Sequence, residues 1–398
     1  MIELPRILGK IIHPLCAGYP AILVTGPRQS GKTTLARSAF PDYPYVNFES
    51  PVEREDFNGD PMGFLGRFKE GAVLDEAQLV PDLFSYLQVR IDEDGGSTRW
   101  ILTGSQQLDL SRYTAQSLAG RVSRLELLPL SRSETEPNPE APDTLAGAVL
   151  RGGYPPLYDA DRKLDAGRWL DNYLSTFVAR DVRAILDVRN RSAFDRFLRL
   201  CAARTGQILN TAELARDAAV DSKTASAWLS VLEACYVVRL LRPHFRNFGK
   251  RLLKSPKLYF LDSGLAARLL HVSNADQLWH HPLRGALVET WCFGEVLKAR
   301  LNRGMSPNLW FWRSSDGHEV DVVIDQGNRL VPIEIKASAT PLPDHARGLR
   351  KLRDLGRRDP EVEVTPGLVI YGGDEERATR EDRFIPWSRI ETALSSFD

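Results

Sequence analysis

The chain has 398 residues, 43% hydrophobic and 26% charged, an ordinary globular composition with room for two or three domains and a large core. Lys+Arg and Asp+Glu are equal at 52 each, so overall charge selects no class of partner. The cysteines at 16, 201, 235 and 292 form no CxxC pair, which argues against a zinc ribbon or a redox pair and for reduced, mostly buried thiols.

The first stretch, MIELPRILGKII, lacks a signal-peptide layout. No apolar run approaches membrane-spanning length. The expected location is a reducing cytoplasm.

AILVT (21–25) reads as a buried strand. GPRQSGKTTLARSAF follows at once, and its Gly26, Gly31, Lys32 and Thr33 fit G-x-x-x-x-G-K-[ST] without mismatch. Glycines let the backbone curl so that its N–H groups surround a phosphate. The helix beginning at Lys32 adds its N-terminal partial charge. The expected ATP-binding residues are Gly26, Pro27, Arg28, Gln29, Ser30, Gly31, Lys32, Thr33 and Thr34. Lys32 addresses the β- and γ-phosphates, and Thr33 offers its hydroxyl to Mg²⁺.

GAVLDEAQ (71–78) supplies the acids such a site needs. Asp75 is expected to hold Mg²⁺ through water and Glu76 to polarise the attacking water; an acidic helix cap is the plainer reading. WILTGS (100–105) is the next apolar run, and Ser105 or Thr103 is expected at the γ-phosphate. LAGR (118–121) precedes VSRLELLPL, a fifth strand. Arg121 is the candidate finger that reaches into a neighbour's site, and a plain surface arginine is the alternative. Strands near 21–25, 45–48, 71–75, 100–104 and 122–128, with helices between them, predict a parallel α/β sheet.

EPNPEAPDT (136–144) and RGGYPP (151–156) are breaker clusters, followed from Asp161 to about Val188 by a helical pattern that predicts a lid or linker. Asn210 and Glu213 form a capping-box pair opening a helix that ends near Ala219, and Asp221 or Ser222 caps a second helix. That spacing fits a helix-turn-helix. The stretch 239–257 carries seven Lys+Arg and no acid and reads as the basic wing of a winged helix. Lys223, Arg246, Lys250, Arg251 and Lys254 are the candidate nucleic-acid contacts. A module that only packs between domains is the alternative.

Near the C-terminus, RGALVETWCFGEVLKARL places Glu289 on a helix face with Ala286, Phe293 and Val296. In EVDVVID, Glu319 and Asp321 are expected on one face and Val320, Val322 and Ile324 on the other. In VPIEIKAS, Ile333 and Ile335 point one way, Glu334 and Lys336 the other. Helix acid, strand acid and acid-x-lysine on the next strand form a metal-nuclease arrangement. Asp321 and Glu334 are expected to ligate Mg²⁺, with Lys336 orienting a metal-activated water. A structural ion-pair ladder is the alternative.

Taken together, GPRQSGKTTL, AVLDEAQ, ILTGSQ, LAGRVSRLELLPLS, GGYPP, KSPKLYFLDSGL, and GHEVDVVID with VPIEIKAS resemble the prokaryotic AAA-type ATPases with a C-terminal PD-(D/E)XK nuclease-like domain. The resemblance implies ATP binding and hydrolysis, Mg²⁺ dependence, a winged-helix module and a restriction-endonuclease-like C-terminal fold. The expected layout is an AAA/RecA-like P-loop domain over 1–135, a helical lid or linker over 136–192, a winged helix over 193–278 and the nuclease-like domain over 279–398. PLPDHARGLRKLRDL lacks the Gln-x-x-x-Tyr of some related exonucleases, which speaks against a DNA-end exonuclease. No sensor arginine is assigned in the lid. Two function classes follow: an ATP-driven enzyme that processes nucleic acid, with DNA the first expectation, or an ATP-dependent switch or scaffold whose nuclease-like domain does not cut. A homo-oligomer with Arg121 acting in trans is one expected assembly, and a monomer or dimer is the alternative.

Overall fold

A computed structural model describes residues 4–105, 117–178, 191–244 and 255–397. The N-terminal sheet is parallel, in the order β2-β3-β4-β1-β5, from β1 (Ala21–Thr25), β2 (Tyr45–Asn47), β3 (Gly71–Asp75), β4 (Arg99–Gly104) and β5 (Val122–Glu126). Every residue of β1 and β3 is buried, because helices cover both faces and a strand buried on both sides reads as a continuous apolar run. Leu23, Leu74 and Leu102 pack on one face with Phe57, Phe64 and Leu83. Ile22, Val24 and Ile101 pack on the other with Leu8, Ile12 and Leu35. The expected parallel α/β sheet is present.

The middle region holds helices Arg191–Ala203, Thr211–Ala218 and Ser222–Ala234 and a three-stranded sheet, ordered β6-β8-β7, from β6 (Gln207–Ile208), β7 (Val238–Leu241) and β8 (Lys257–Phe260). Asn210 accepts from the Glu213 N–H, Ala219 takes a left-handed conformation as the cap of the first short helix, and Asp221 caps the next by accepting from the Thr224 N–H. These are the local signals that read as a helix-turn-helix in the sequence.

The C-terminal sheet is mixed. Its order is β14-β15-β13-β11-β10-β9, with β12 beside β11; the strands are β9 (Leu309–Arg313), β10 (Glu319–Asp325), β11 (Arg329–Lys336), β12 (Glu363–Val364), β13 (Gly367–Tyr371), β14 (Arg377–Ala378) and β15 (Asp382–Pro386). Helix Arg284–Leu301 covers one face and helix Arg347–Gly356 the other. The core under helix Arg284–Leu301 is continuous with that of the middle region, joining Phe194, Trp228 and Phe260 to Phe293, Ile333 and Ile370.

The expected alternation along β10 is corrected at one point. The pairing of β10 with β9 shifts register between Val320 and Val323. Val320 therefore packs with Val323 on the side of helix Arg347–Gly356, while Val322 and Ile324 face the opposite core. A bulge inserts one residue and resets the period-two pattern.

Two glycine-rich motifs have steric reasons. Gly26 has φ +156°, and a Cβ there would lie 2.1 Å from the Leu127 carbonyl oxygen. Gly152 has φ +69°, and a Cβ there would lie 2.3 Å from the Asp262 carboxylate. Only a residue without a side chain fits either position.

Candidate nucleotide site and the C-terminal acid cluster

The turn from β1 into helix Lys32–Ala39 borders a cavity of about 740 Å³. Arg28, Gln29, Gly31, Lys32, Thr33, Thr34 and Glu76 line one side; Pro5, His13, Pro155, Pro156 and Arg162 belong to the rest of the wall. The Lys32 ammonium donates to the Gly26 and Pro27 carbonyls at 3.1 and 2.9 Å. The Thr33 hydroxyl donates to both oxygens of Asp75, at 2.9 and 3.1 Å. Tyr45 donates to the same carboxylate at 2.7 Å, and Thr103 donates to it as well. Ser30 Oγ is buried inside the loop with no hydrogen-bond partner among the described residues.

Glu76 stands just past β3 with φ +55°. Its carboxylate accepts from Gln78 and from the Ser105 hydroxyl at 3.3 Å. Ser105 therefore orients the candidate base, and Thr103 belongs to the Asp75 carboxylate; both reach acids where the sequence suggested a phosphate. A hydroxyl and a buried carboxylate converging beside a Gly-rich loop suit a hydrated Mg²⁺ bound to a nucleotide.

Arg121 lies at the opposite end of the strands from the Gly-rich loop, just before β5, where its carbonyl accepts from the Ala21 N–H at the start of β1. Its guanidinium pairs with Asp92 at 2.7 and 2.9 Å. It does not join the site of its own chain.

Several groups at this site carry no motif. Tyr173 donates from its hydroxyl to the Arg28 carbonyl at 3.2 Å. Arg6 donates to the Ser30 carbonyl at 2.6 Å. Tyr236 donates to Thr25 Oγ at 2.7 Å, and Arg239 pairs with Glu126 at 2.7 Å. Only tertiary structure reveals them, since each lies far in sequence from the group it touches.

The C-terminal cluster is organised around a residue the sequence reading assigned to the basic wing. Lys257, on β8, is 2% exposed. Its ammonium lies 3.1 Å from Glu289, 2.6 Å from Glu319 and 3.3 Å from Asp321. Tyr259, two residues on, donates to Glu289 and stacks on Phe293. Asp321 also accepts from the Ile335 N–H at 2.9 Å. Glu334, next to the Val322–Ile333 pair of the ladder, pairs with Lys336, and its Oε2 is buried without a partner among the described residues.

Of the two expected Mg²⁺ ligands, Asp321 is held by Lys257 and the Ile335 N–H, and Glu334 pairs with Lys336. No three His, Cys, Asp or Glu side chains converge in metal-binding geometry among the described residues. Asp321 and Glu289 share the ammonium of Lys257, which occupies the place a cation would take. Lys257 is thus removed from the basic wing, and so is Arg239 by its pairing with Glu126. Lys223 is exposed in the first turn of helix Ser222–Ala234. Arg246, Lys250, Arg251 and Lys254 lie outside the described residues.

One ammonium does not neutralise three carboxylates. Burial, and then the charge of Asp321, push Glu289 up to about 7 and raise Glu334 as well. Its folded pKa exceeds its value in the unfolded chain, so Glu289 adds stability that is full below about 4.5 and lost as pH rises through about 7. Lys257, Tyr259 and Asp321 face it, and Glu391 shifts in the same direction elsewhere. Replacing Glu289 by Gln is expected to reduce the stability lost between pH 5 and 7.5 by on the order of 2 kcal/mol. Urea unfolding of both proteins at the two pH values checks this; identical losses would rule it out.

Residues 18–136 match a family described as an AAA domain, and residues 142–276 and 284–390 match domains of unknown function, DUF8612 and DUF4143. The uncharacterized proteins Rv2008c of Mycobacterium tuberculosis and Mb2031c of Mycobacterium bovis are each 39% identical over 326 residues, covering 81% of this chain and 71% of theirs. Among solved structures, the Walker-type ATPase PABY2304 of Pyrococcus abyssi is 15% identical, covers 66% of this chain and 94% of its own, and has a TM-score of 0.45. The Holliday junction branch migration motor RuvB of Thermotoga maritima is 16% identical, covers 58% and 87%, and has a TM-score of 0.31. No helix among the described residues is long and apolar enough to cross a membrane. The chain carries an AAA domain over residues 18–136 and belongs to the same family as the two uncharacterized mycobacterial proteins.

Proposed function

We propose that the chain is an ATP-hydrolysing switch whose middle and C-terminal regions respond to the nucleotide, and whose nuclease-like C-terminal domain does not cut. ATP with Mg²⁺ is the ligand of the loop at Gly26–Thr34. Lys32 holds the β- and γ-phosphates, Thr33 and Asp75 hold the metal, and Glu76, oriented by Gln78 and Ser105, directs the attacking water. The bound Mg²⁺ supplies charge neutralisation at the phosphates. The middle region acts as a winged helix, contacting DNA through Lys223 and the stretch Arg246, Lys250, Arg251 and Lys254. Arg121 serves a neighbouring copy in a homo-oligomer. The cytoplasm is the proposed location.

The observation that carries the non-cutting reading is the Lys257 ammonium among Glu289, Glu319 and Asp321. An internal cation already pairs with Glu289 and Asp321, two of the acids that a metal nuclease would need. The cutting reading keeps one observation in its favour, the buried and unpartnered Glu334 Oε2 beside Lys336. Supercoiled plasmid and single-stranded DNA, incubated with Mg²⁺ or Mn²⁺ with and without ATP, separate the two. Wild type is run beside Lys336→Ala and Lys32→Ala. The expected result is ATP hydrolysis by wild type and no cleavage by any of the three. Cleavage that disappears with Lys336→Ala would establish the C-terminal cluster as a nuclease site.

A further inference from the structure

In a trans peptide the carbonyl and the N–H of the next residue point in opposite directions. Anchoring one therefore fixes the other. The Arg28 carbonyl is held by the Tyr173 hydroxyl, so the N–H of Gln29 is turned away from Tyr173. The Ser30 carbonyl is held by Arg6 Nη1, so the N–H of Gly31 is turned away from Arg6. Both anchors come from outside the loop, one from an N-terminal segment and one from the middle region. Gln29 has φ +64°, a left-handed conformation that costs a residue with a side chain about 1 kcal/mol and persists only where its surroundings enforce it.

Each anchor is itself fixed. Arg6 also donates to the Leu128 carbonyl at 2.7 Å and to Glu134 at 3.0 Å. Glu134 closes a capping box with Ser131 and accepts from the Ile7 N–H. Tyr173 is buried, with its ring 4.6 Å from that of Tyr154 and stacked 5.2 Å from Trp169. Tyr154 precedes Pro155 and Pro156 of the cavity wall. The Tyr173 hydroxyl thus reaches the loop from a clamped aromatic cluster.

We infer that Tyr173 and Arg6 are positioning residues that preset the N–H groups of Gln29 and Gly31 for the phosphates of a nucleoside triphosphate. The inference rests on the reading of this loop as an ATP site and adds that its affinity is set from the N-terminal segment and the middle region. Loss of the Tyr173 hydroxyl leaves the ring packing in place and frees the Arg28–Gln29 peptide to rotate. Nucleotide binding then has to restore the geometry, and affinity falls.

The test uses the full chain, titrated with a fluorescent ATP analogue (mant-ATP) and assayed for steady-state ATP hydrolysis. Tyr173→Phe is expected to weaken binding about fivefold, the effect of one hydrogen bond, with saturated turnover within about twofold. The thermal unfolding temperature of the nucleotide-free protein should fall only slightly, because the buried Tyr154 hydroxyl loses its Tyr173 partner as well. Arg6→Lys, which keeps the charge but lacks the planar fork that spans the Ser30, Leu128 and Glu134 acceptors, is expected to weaken binding about tenfold. Unchanged affinity in both variants would overturn the inference, as would a fall in nucleotide-free stability with no change in affinity. Failure of wild type itself to bind mant-ATP, or equal binding by Lys32→Ala, would overturn the ATP reading beneath it.

Discussion

Lys32→Ala is expected to lower ATP hydrolysis by at least about a hundredfold, the loss typical of removing one preorganised group from developing phosphate charge. Lys32 is 5% exposed and already lies inside the loop, on the Gly26 and Pro27 carbonyls. The cation is therefore preorganised next to the phosphate position, and no other lysine or arginine of the G-x-x-x-x-G-K-[ST] stretch occupies the same place. Glu76→Gln should produce a different phenotype. It keeps the shape of the side chain and its contact with Ser105 but removes the negative charge that polarises water. Turnover is expected to fall about a hundredfold or more while ATP affinity stays within about threefold. Paired measurements of kcat and mant-ATP binding check both. A Glu76→Gln enzyme with wild-type kcat would remove Glu76 from the proposed chemistry.

Lys257→Met is the second large effect. The substitution conserves length and apolar bulk but leaves Glu289, Glu319 and Asp321 without the ammonium they share. Removing one partner of a buried charge cluster costs about 3–5 kcal/mol. The deficit should be largest near pH 7.5 and smaller near pH 5, where Glu289 holds its proton in the folded protein. Millimolar Mn²⁺ should recover part of the loss in the variant and little in wild type, because only the variant presents bare carboxylates to a hard cation. Urea unfolding at the two pH values, with and without Mn²⁺, reads all of this. A variant as stable as wild type at pH 7.5 would show that the cluster contributes nothing to holding β8 against the C-terminal sheet.

The P-loop and the acids Asp75 and Glu76 were legible because their chemistry requires fixed residue types at fixed spacing. The helix caps at Asn210 and Asp221 were legible because capping is local. The acid cluster was legible only in part. Glu289, Asp321 and Glu334 announce themselves as acids in apolar strands and a helix. Their counter-ion does not, because Lys257 sits in a run of basic residues and reads as one more exposed charge. Its role appears only when antiparallel β8 carries it under helix Arg284–Leu301. The bulge between Val320 and Val323 was invisible for a related reason: every residue across it is apolar or acidic, so alternation offered no break in pattern. The anchors at Arg6, Tyr173 and Tyr236 carry no motif because the groups they hold are backbone or a lone hydroxyl far away in the chain.

Asp262, at the end of the segment that begins with Lys257, is buried and accepts from the Gly153 and Leu265 N–H groups, the first at 2.8 Å and the second at 3.1 Å. Gly153 stands two residues before Pro155 in the cavity wall. Lys257 and Asp262 are joined mostly by the extended strand β8, a span of roughly 16 Å. Extended backbone paired on both sides neither stretches nor folds appreciably. β8 is therefore a strut, fastened by a hydrogen-bonded carboxylate at one end and by an ion cluster at the other. Displacement of the proline wall would be delivered to the acid cluster undamped, and a change in the charge of that cluster would press back on the wall with the same leverage.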